Sequence, residues 1–149
     1  QAEGARLLTG GSRPAHLSAG YFVAPTIFDG VQPGSTLFQE EVFGPVLSVT
    51  EAATLADAIR YANAVEYGLT TSIFTQDSNA VMRFVEDVEV GMVHVNEPTV
   101  GGEAQLPFGG TKSTGVGERE MAEEGLNFFT DIKTVFINYS GKADASLTR

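Results

Sequence analysis

Between residues 46 and 96 the spacing of apolar side chains switches repeatedly between strand and helix periods. "VLSVT" (46–50) has the β-branched content of a strand. "TLADAIRYANAVEYG" (54–68) repeats Leu55, Ala58, Ile59 and Ala62 at helical spacing, with Thr54 placed to cap the start and Gly68 to close the end. "LTTSIFT" (69–75) reads as strand again. "SNAVMRFVEDVEVG" (78–91) sets Val81, Phe84, Val85 and Val88 on one helical face behind a Ser78 cap, and "MVHVN" (92–96) is a further strand. Strands alternating with helices in this way predict crossovers onto a largely parallel sheet flanked by helices, an α/β fold.

The flanks are less regular. "ARLLTGG" (5–11) predicts a short strand ended by a glycine pair, and "SRPAHLSAG" (12–20) a loop. "YFVAPTIFDGV" (21–31) has strand composition, but Pro25 splits it or places it at an edge. After residue 96 comes a long loop, 97–117, with Pro98, Pro107, Phe108 and several glycines. Loops of this length in a domain usually shape a site or are disordered. A helix is expected over 118–129 and a closing strand over 131–139, leaving 140–149 as a polar tail. The chain opens mid-pattern, as a part of a longer protein would.

Composition narrows the chemistry. Nine basic and nineteen acidic residues give a formal charge of −10, which argues against a nucleic-acid partner, since phosphate binding needs clustered Lys and Arg. No apolar run approaches the roughly 18 residues of a membrane span, so no membrane partner is expected. The N-terminus lacks a basic region followed by an apolar stretch, so cytoplasmic residence is expected. There is no cysteine, hence no disulfide, no thiolate ligand and no cysteine nucleophile. His16 and His94 are far apart and have no partners at ligand spacing, so no metal site is expected.

Two glycine-rich stretches imitate nucleotide motifs. In "FGGTKSTG" (108–115) Thr111 intervenes before Lys112 and no strand leads in, unlike a phosphate loop. In "GVGERE" (115–120) Glu120 stands where a dinucleotide fingerprint needs glycine. A glycine loop running into a helix explains the second better.

In order and spacing, "GYFVAPTIFDGV", "QEEVFGPVLSV", "YGLTTSIFT", "GMVHVN", "LPFGGTKSTGVGERE" and "DIKTVFIN" resemble the C-terminal part of the catalytic domain of NAD(P)-dependent aldehyde dehydrogenases, over about residues 4–139. The resemblance implies roles. Glu41 would accept hydrogen bonds from the nicotinamide-ribose hydroxyls, and Phe43 would lie beside the nicotinamide ring. A carboxylate suits a diol and an aromatic suits a ring face. Phe108 would stand at the aldehyde pocket, Asn96 and Glu97 would begin the loop that shapes the substrate tunnel, and Asp131 would be a possible proton relay. The strand "IKTVFIN" would extend a sheet across a subunit interface, giving a homo-oligomer. "VNEPTVGGEAQLPFGG" and "INYS" are similar to relatives that oxidise semialdehydes of amino-acid or sugar-acid breakdown.

The family reaction, as the resemblance implies it, starts with attack of a cysteine thiolate on the aldehyde. Hydride then leaves for NAD or NADP, and water hydrolyses the thioester with help from a glutamate base. The cysteine, the base and the coenzyme domain are not on this chain, so it is expected to be inactive alone and to bind neither NAD nor NADP appreciably. The alternative expectation is a non-catalytic, self-associating assembly module.

Overall fold

Pro25 ends one conformation and starts another. The loop before it makes no ladder; from Thr26 the chain pairs on both sides. The computed structural model describes residues 1–139 and Gly141. Strand β2 (Thr26–Asp29) lies between β1 (Arg6–Thr9), antiparallel to it, and β3 (Val46–Ser48), parallel to it. The register sets Thr26 against Val46 and Leu7 against Phe28, and Thr26 N–H reaches Pro45 O at 2.9 Å. A short helix, α1 (Thr36–Gln39), not evident in the sequence pattern, sits in the connection from β2 to β3.

The second half carries the expected βαβ unit. Helix α2 (Leu55–Asn63) leads into β4 (Tyr67–Gly68) and β5 (Thr70–Ile73); helix α3 (Ser78–Asp87) then crosses to β6 (Met92–Val95), which is parallel to β5. Ile59 of α2 and Phe84 of α3 meet with Val88 as a buried cluster, closed by Leu55, Ala62, Ile73, Val90 and Val93. The helical spacing of these residues places them there, because i, i+3 and i+4 share a face.

Caps fix the helix ends. Thr54 Oγ1 accepts from Asp57 N–H at 3.1 Å and donates to the Asp57 carboxylate at 2.8 Å. Arg60, and next the Thr54 hydroxyl, hold the Asp57 carboxyl below its ordinary range. Replacing Thr54 with Ala is expected to cost about 1 kcal/mol, read as a lower urea midpoint, with Thr54→Ser close to the parent. The cap of α3 is Asp77 rather than Ser78: its Oδ1 accepts from Asn79 N–H at 2.9 Å, a stronger claim on the helix end than a serine one residue later could make.

Other boundaries differ from the sequence expectation for visible reasons. Helix α2 stops at Asn63, not Gly68, because the carbonyls of Asn63 and Val65 accept from the Lys112 ammonium at 2.7 and 3.2 Å. The last helix, α4 (Ala122–Phe128), starts four residues late. Both backbone groups of Glu120 are spent on a bridge to Phe108, at 2.7 Å in each direction, and so are unavailable to a helix. Residues 131–139 form no strand: no ladder partner stands beside them among the described residues, and Ile132 and Phe136 are 96% and 93% exposed. The polar tail expected over 140–149 lies outside the described residues, apart from Gly141.

The strands form three small sheets, β1–β2–β3, β5–β6 and β4 with β7 (Thr111–Lys112), so parallel and antiparallel pairs are mixed. Buried hydrophobic residues among the described ones are few: Val31, Ile59, Phe84 and Val88.

Candidate functional site

The end of β6 and the loop after it enclose a cavity of about 630 Å³. Its walls include Met92 and Val93 from β6, Val100, Leu106 and Phe108 from the loop, and Met121 before α4; His94, Glu97 and Glu103 bring the ionisable groups. Size and lining suit a small organic molecule, mostly apolar with a few convergent polar groups.

The sequence builds this cavity from the main chain outward. Asn96 takes a left-handed conformation (φ 59°), which Asn tolerates better than most residues. Its side chain clamps Thr75 twice: Thr75 N–H donates to Oδ1 at 2.8 Å, and Nδ2 donates to Thr75 O at 3.0 Å. Asn96 therefore turns the chain out of β6 and does not itself line the cavity. Glu97, next along, does line it, and its Oε1 lies 3.0 Å from His94 Nδ1. Phe108 lines it too, held by the bridge to Glu120.

Beyond the cavity, the "GGTKST" stretch is a clamp. Thr111 Oγ1 donates to Glu89 O at 2.8 Å, Thr114 Oγ1 accepts from Gly68 N–H at 2.6 Å, and Ser113 N–H reaches Glu66 O at 2.9 Å. Lys112 also faces Glu89 at 3.3 Å. The Lys112 ammonium, the Thr111 hydroxyl and the Ser113 amide are thus all engaged within the chain.

Glu41 and Phe43 stand apart from the cavity lining, on the exposed stretch between α1 and β3. Phe43 is 91% exposed, with its backbone at φ 51°, an uncommon conformation for a bulky residue that presents the ring outward. Asp131 follows α4, is exposed and lines no cavity described here. Sequence reasoning set His94 aside; the available signal was its i, i+3 spacing to Glu97 across a strand end. Met121 was also missed. It carries φ 62° and lines both this cavity and a second of about 360 Å³ formed with Arg119, Phe128 and Phe129.

None of the helices among the described residues is long and apolar enough to cross a membrane.

Comparison with known proteins agrees with this layout. The aldehyde dehydrogenase family matches residues 1–135. The 2,5-dioxopentanoate dehydrogenase of Saccharolobus solfataricus is 51% identical over 134 residues, 89% of this chain and 28% of that protein. The alpha-ketoglutaric semialdehyde dehydrogenase of Bacillus subtilis is 41% identical over 137 residues, 91% of this chain and 28% of that protein. Among solved structures, the Mycobacterium tuberculosis aldehyde dehydrogenase complexed with NAD+ superposes with a TM-score of 0.82 at 38% identity, over 95% of this chain and 29% of that one. The chain thus spans somewhat over a quarter of the length of these relatives, and its α/β architecture is a portion of theirs. On this evidence the chain belongs to the aldehyde dehydrogenase family.

Proposed function

We propose that this chain is the C-terminal portion of the catalytic domain of an NAD(P)-dependent oxidoreductase that converts a short oxo-acid aldehyde to the corresponding acid. The carrying observation is the cavity that Glu97 and Phe108 share, within a chain that matches the family almost throughout. Residues 1–139 form the catalytic-domain portion and 140–149 a polar tail. Bound NAD or NADP would supply the hydride acceptor. On this chain Glu41 would hold the ribose hydroxyls, Phe43 would pack on the nicotinamide face, and Phe108 and Glu97 would shape the aldehyde's place, with Asn96 setting the direction of the loop. Asp131, exposed after α4, would relay a proton to solvent. The acid substrate class is supported by the names of the 51% and 41% identical relatives.

The cysteine nucleophile must come from elsewhere, since the chain has none. The chain alone is expected to show no NAD(P)-dependent aldehyde oxidation. Joined to a cysteine-bearing remainder it is expected to turn over, with Glu41→Gln raising the KM for the cofactor about tenfold or more, as for a lost charged hydrogen bond. Oxidation by the rigorously purified chain alone would sink the proposal, and so would an unchanged cofactor KM in the Gln variant.

A second reading, self-association, is favoured by the exposed apolar side chains of Ile132, Val135, Phe136 and Ile137. It is compatible with the first and makes the protein a homo-oligomer. A monomer by light scattering at high concentration would refute it.

A further inference from the structure

We propose that His94, oriented by Glu97, is a specificity-determining residue that donates a hydrogen bond from Nε2 to the acid end of a short oxo-acid in the cavity. This rests on the reading that the cavity receives the aldehyde substrate. It goes beyond it by naming the group that recognises the end of the molecule away from the reacting carbon.

The first support is the pair itself. Nδ1 of His94 lies 3.0 Å from Glu97 Oε1, and the carboxylate can only accept, so Nδ1 carries the hydrogen. That fixes the ring plane and turns Nε2 away from Glu97. Nε2 has no hydrogen-bond partner among the described residues. It is not sealed in either, because the one buried polar side-chain atom lacking a partner among them is Thr70 Oγ1. His94 lines the cavity with its side chain 15% exposed, so the ring is open to a ligand there.

The second support is the charge inventory of the walls. Met92, Val93, Val100, Leu106 and Phe108 offer no polar side chain able to meet an anion. The loop brings two carboxylates, Glu97 and Glu103, and Glu103 is turned to Gln105, whose amide donates to it. β5, the partner of β6, contributes only the hydroxyls of Thr70, Thr71 and Ser72 as polar side chains, and no Lys or Arg lines the cavity. Among these groups His94 alone can become a cation. In the imidazolium form it donates from both nitrogens at once, to Glu97 on one side and to an incoming carboxylate on the other. A neutral aldehyde tail would draw no such response and would rest on the apolar wall.

The test is a titration of the 149-residue chain followed by NMR of its two histidines. The probe is 2-oxopentanedioate, the acid obtained when 2,5-dioxopentanoate is oxidised at its aldehyde carbon; pentanamide is the neutral control. The dicarboxylate is expected to move the His94 ring signals saturably and leave His16 in place. Pentanamide is expected to move neither ring comparably. His94→Phe should abolish the dicarboxylate's preference over the amide, and Glu97→Gln should weaken dicarboxylate binding about tenfold, the scale of a lost charge-assisted hydrogen bond. Should the Phe variant lose the dispersed spectrum of a folded chain, His94→Gln, which keeps a donor but cannot carry a charge, replaces it; its preference for the dicarboxylate over the amide should fall. Unmoved His94 signals, equal movement by the amide, or an undiminished dicarboxylate preference in the folded variant would overturn the proposal. None of these outcomes bears on cofactor use or turnover, so failure here and failure of the dehydrogenase reading are distinguishable.

Discussion

Gly91→Ala is expected to unfold the chain, or to leave it without the dispersed amide spectrum and sharp thermal transition of the parent. At Gly91 the main chain leaves α3 for β6 and passes directly against Gly109. A Cβ built there would overlap the carbonyl oxygen of Gly109 and lie 2.7 Å from its carbonyl carbon and 2.8 Å from Arg119 Nη1. These are backbone atoms and a guanidinium that is itself committed to the Gly110 carbonyl, so neither side can step back. Overpacking by one methyl usually costs about 1–3 kcal/mol when side chains can shift. Here the backbone must move, and roughly 3 kcal/mol or more is expected, a large share of the 5–15 kcal/mol of an ordinary domain. Gly34→Ala is the matched control, since nothing lies within 4 Å of its added Cβ. Circular dichroism with urea titration of both variants decides the matter. A Gly91→Ala chain as stable as Gly34→Ala would show that the crossing is looser than described.

Phe84→Ala comes next in size. Phe84 is 5% exposed and the largest side chain of the Ile59–Phe84–Val88 cluster, against which Ile73 and Val93 pack from the two strands of the parallel pair. Its truncation is expected to cost about 3–5 kcal/mol, from lost transfer energy and the void left behind. Because buried hydrophobic residues are so few among the described ones, no second cluster of comparable size stands there to offset the loss. The effect should reach the site: Val93 is both a neighbour of this cluster and a wall of the cavity. Phe84→Leu, which keeps much of the volume, should lose distinctly less. If urea midpoints of the Ala and Leu variants coincide, the cluster is not the support of the βαβ unit.

The βαβ unit was legible because its information is local. Leu55, Ala58, Ile59 and Ala62 declare a helix face without reference to anything distant, and so do Val81, Phe84, Val85 and Val88. The clamp was not legible. Thr111, Lys112 and Thr114 look like ordinary loop residues, and their partners Gly68, Glu89, Asn63 and Val65 lie 22 to 49 positions earlier. Nothing in the local pattern pairs Tyr67 with Lys112. The late start of α4 has the same origin, a bridge between Phe108 and Glu120 that competes with helix formation. For the site, family resemblance pointed to Phe108 and Glu97, which the cavity unites. It could not point to His94, whose contribution depends on which way its ring is held.

The glycine crossing has a consequence for how this part of the molecule can vary. Gly68, Gly91 and Gly110 meet atoms closer than a Cβ can stand: an added Cβ at Gly68 would lie 2.6 Å from Glu89 O, and one at Gly110 2.6 Å from Thr114 Cβ. Where backbone meets backbone, as at Gly91 and Gly109, there is no side chain to trade, so substitution has little room to tune or repair the crossing. Inserting or removing one residue between 109 and 114 would also carry Lys112 out of reach of both its carbonyls. The rim from 98 to 106 is under no such restraint. The crossing is thus a fixed origin from which the rim is measured, and diversity in cavity shape is expected to accumulate as changes of rim length and composition, never as changes at the origin.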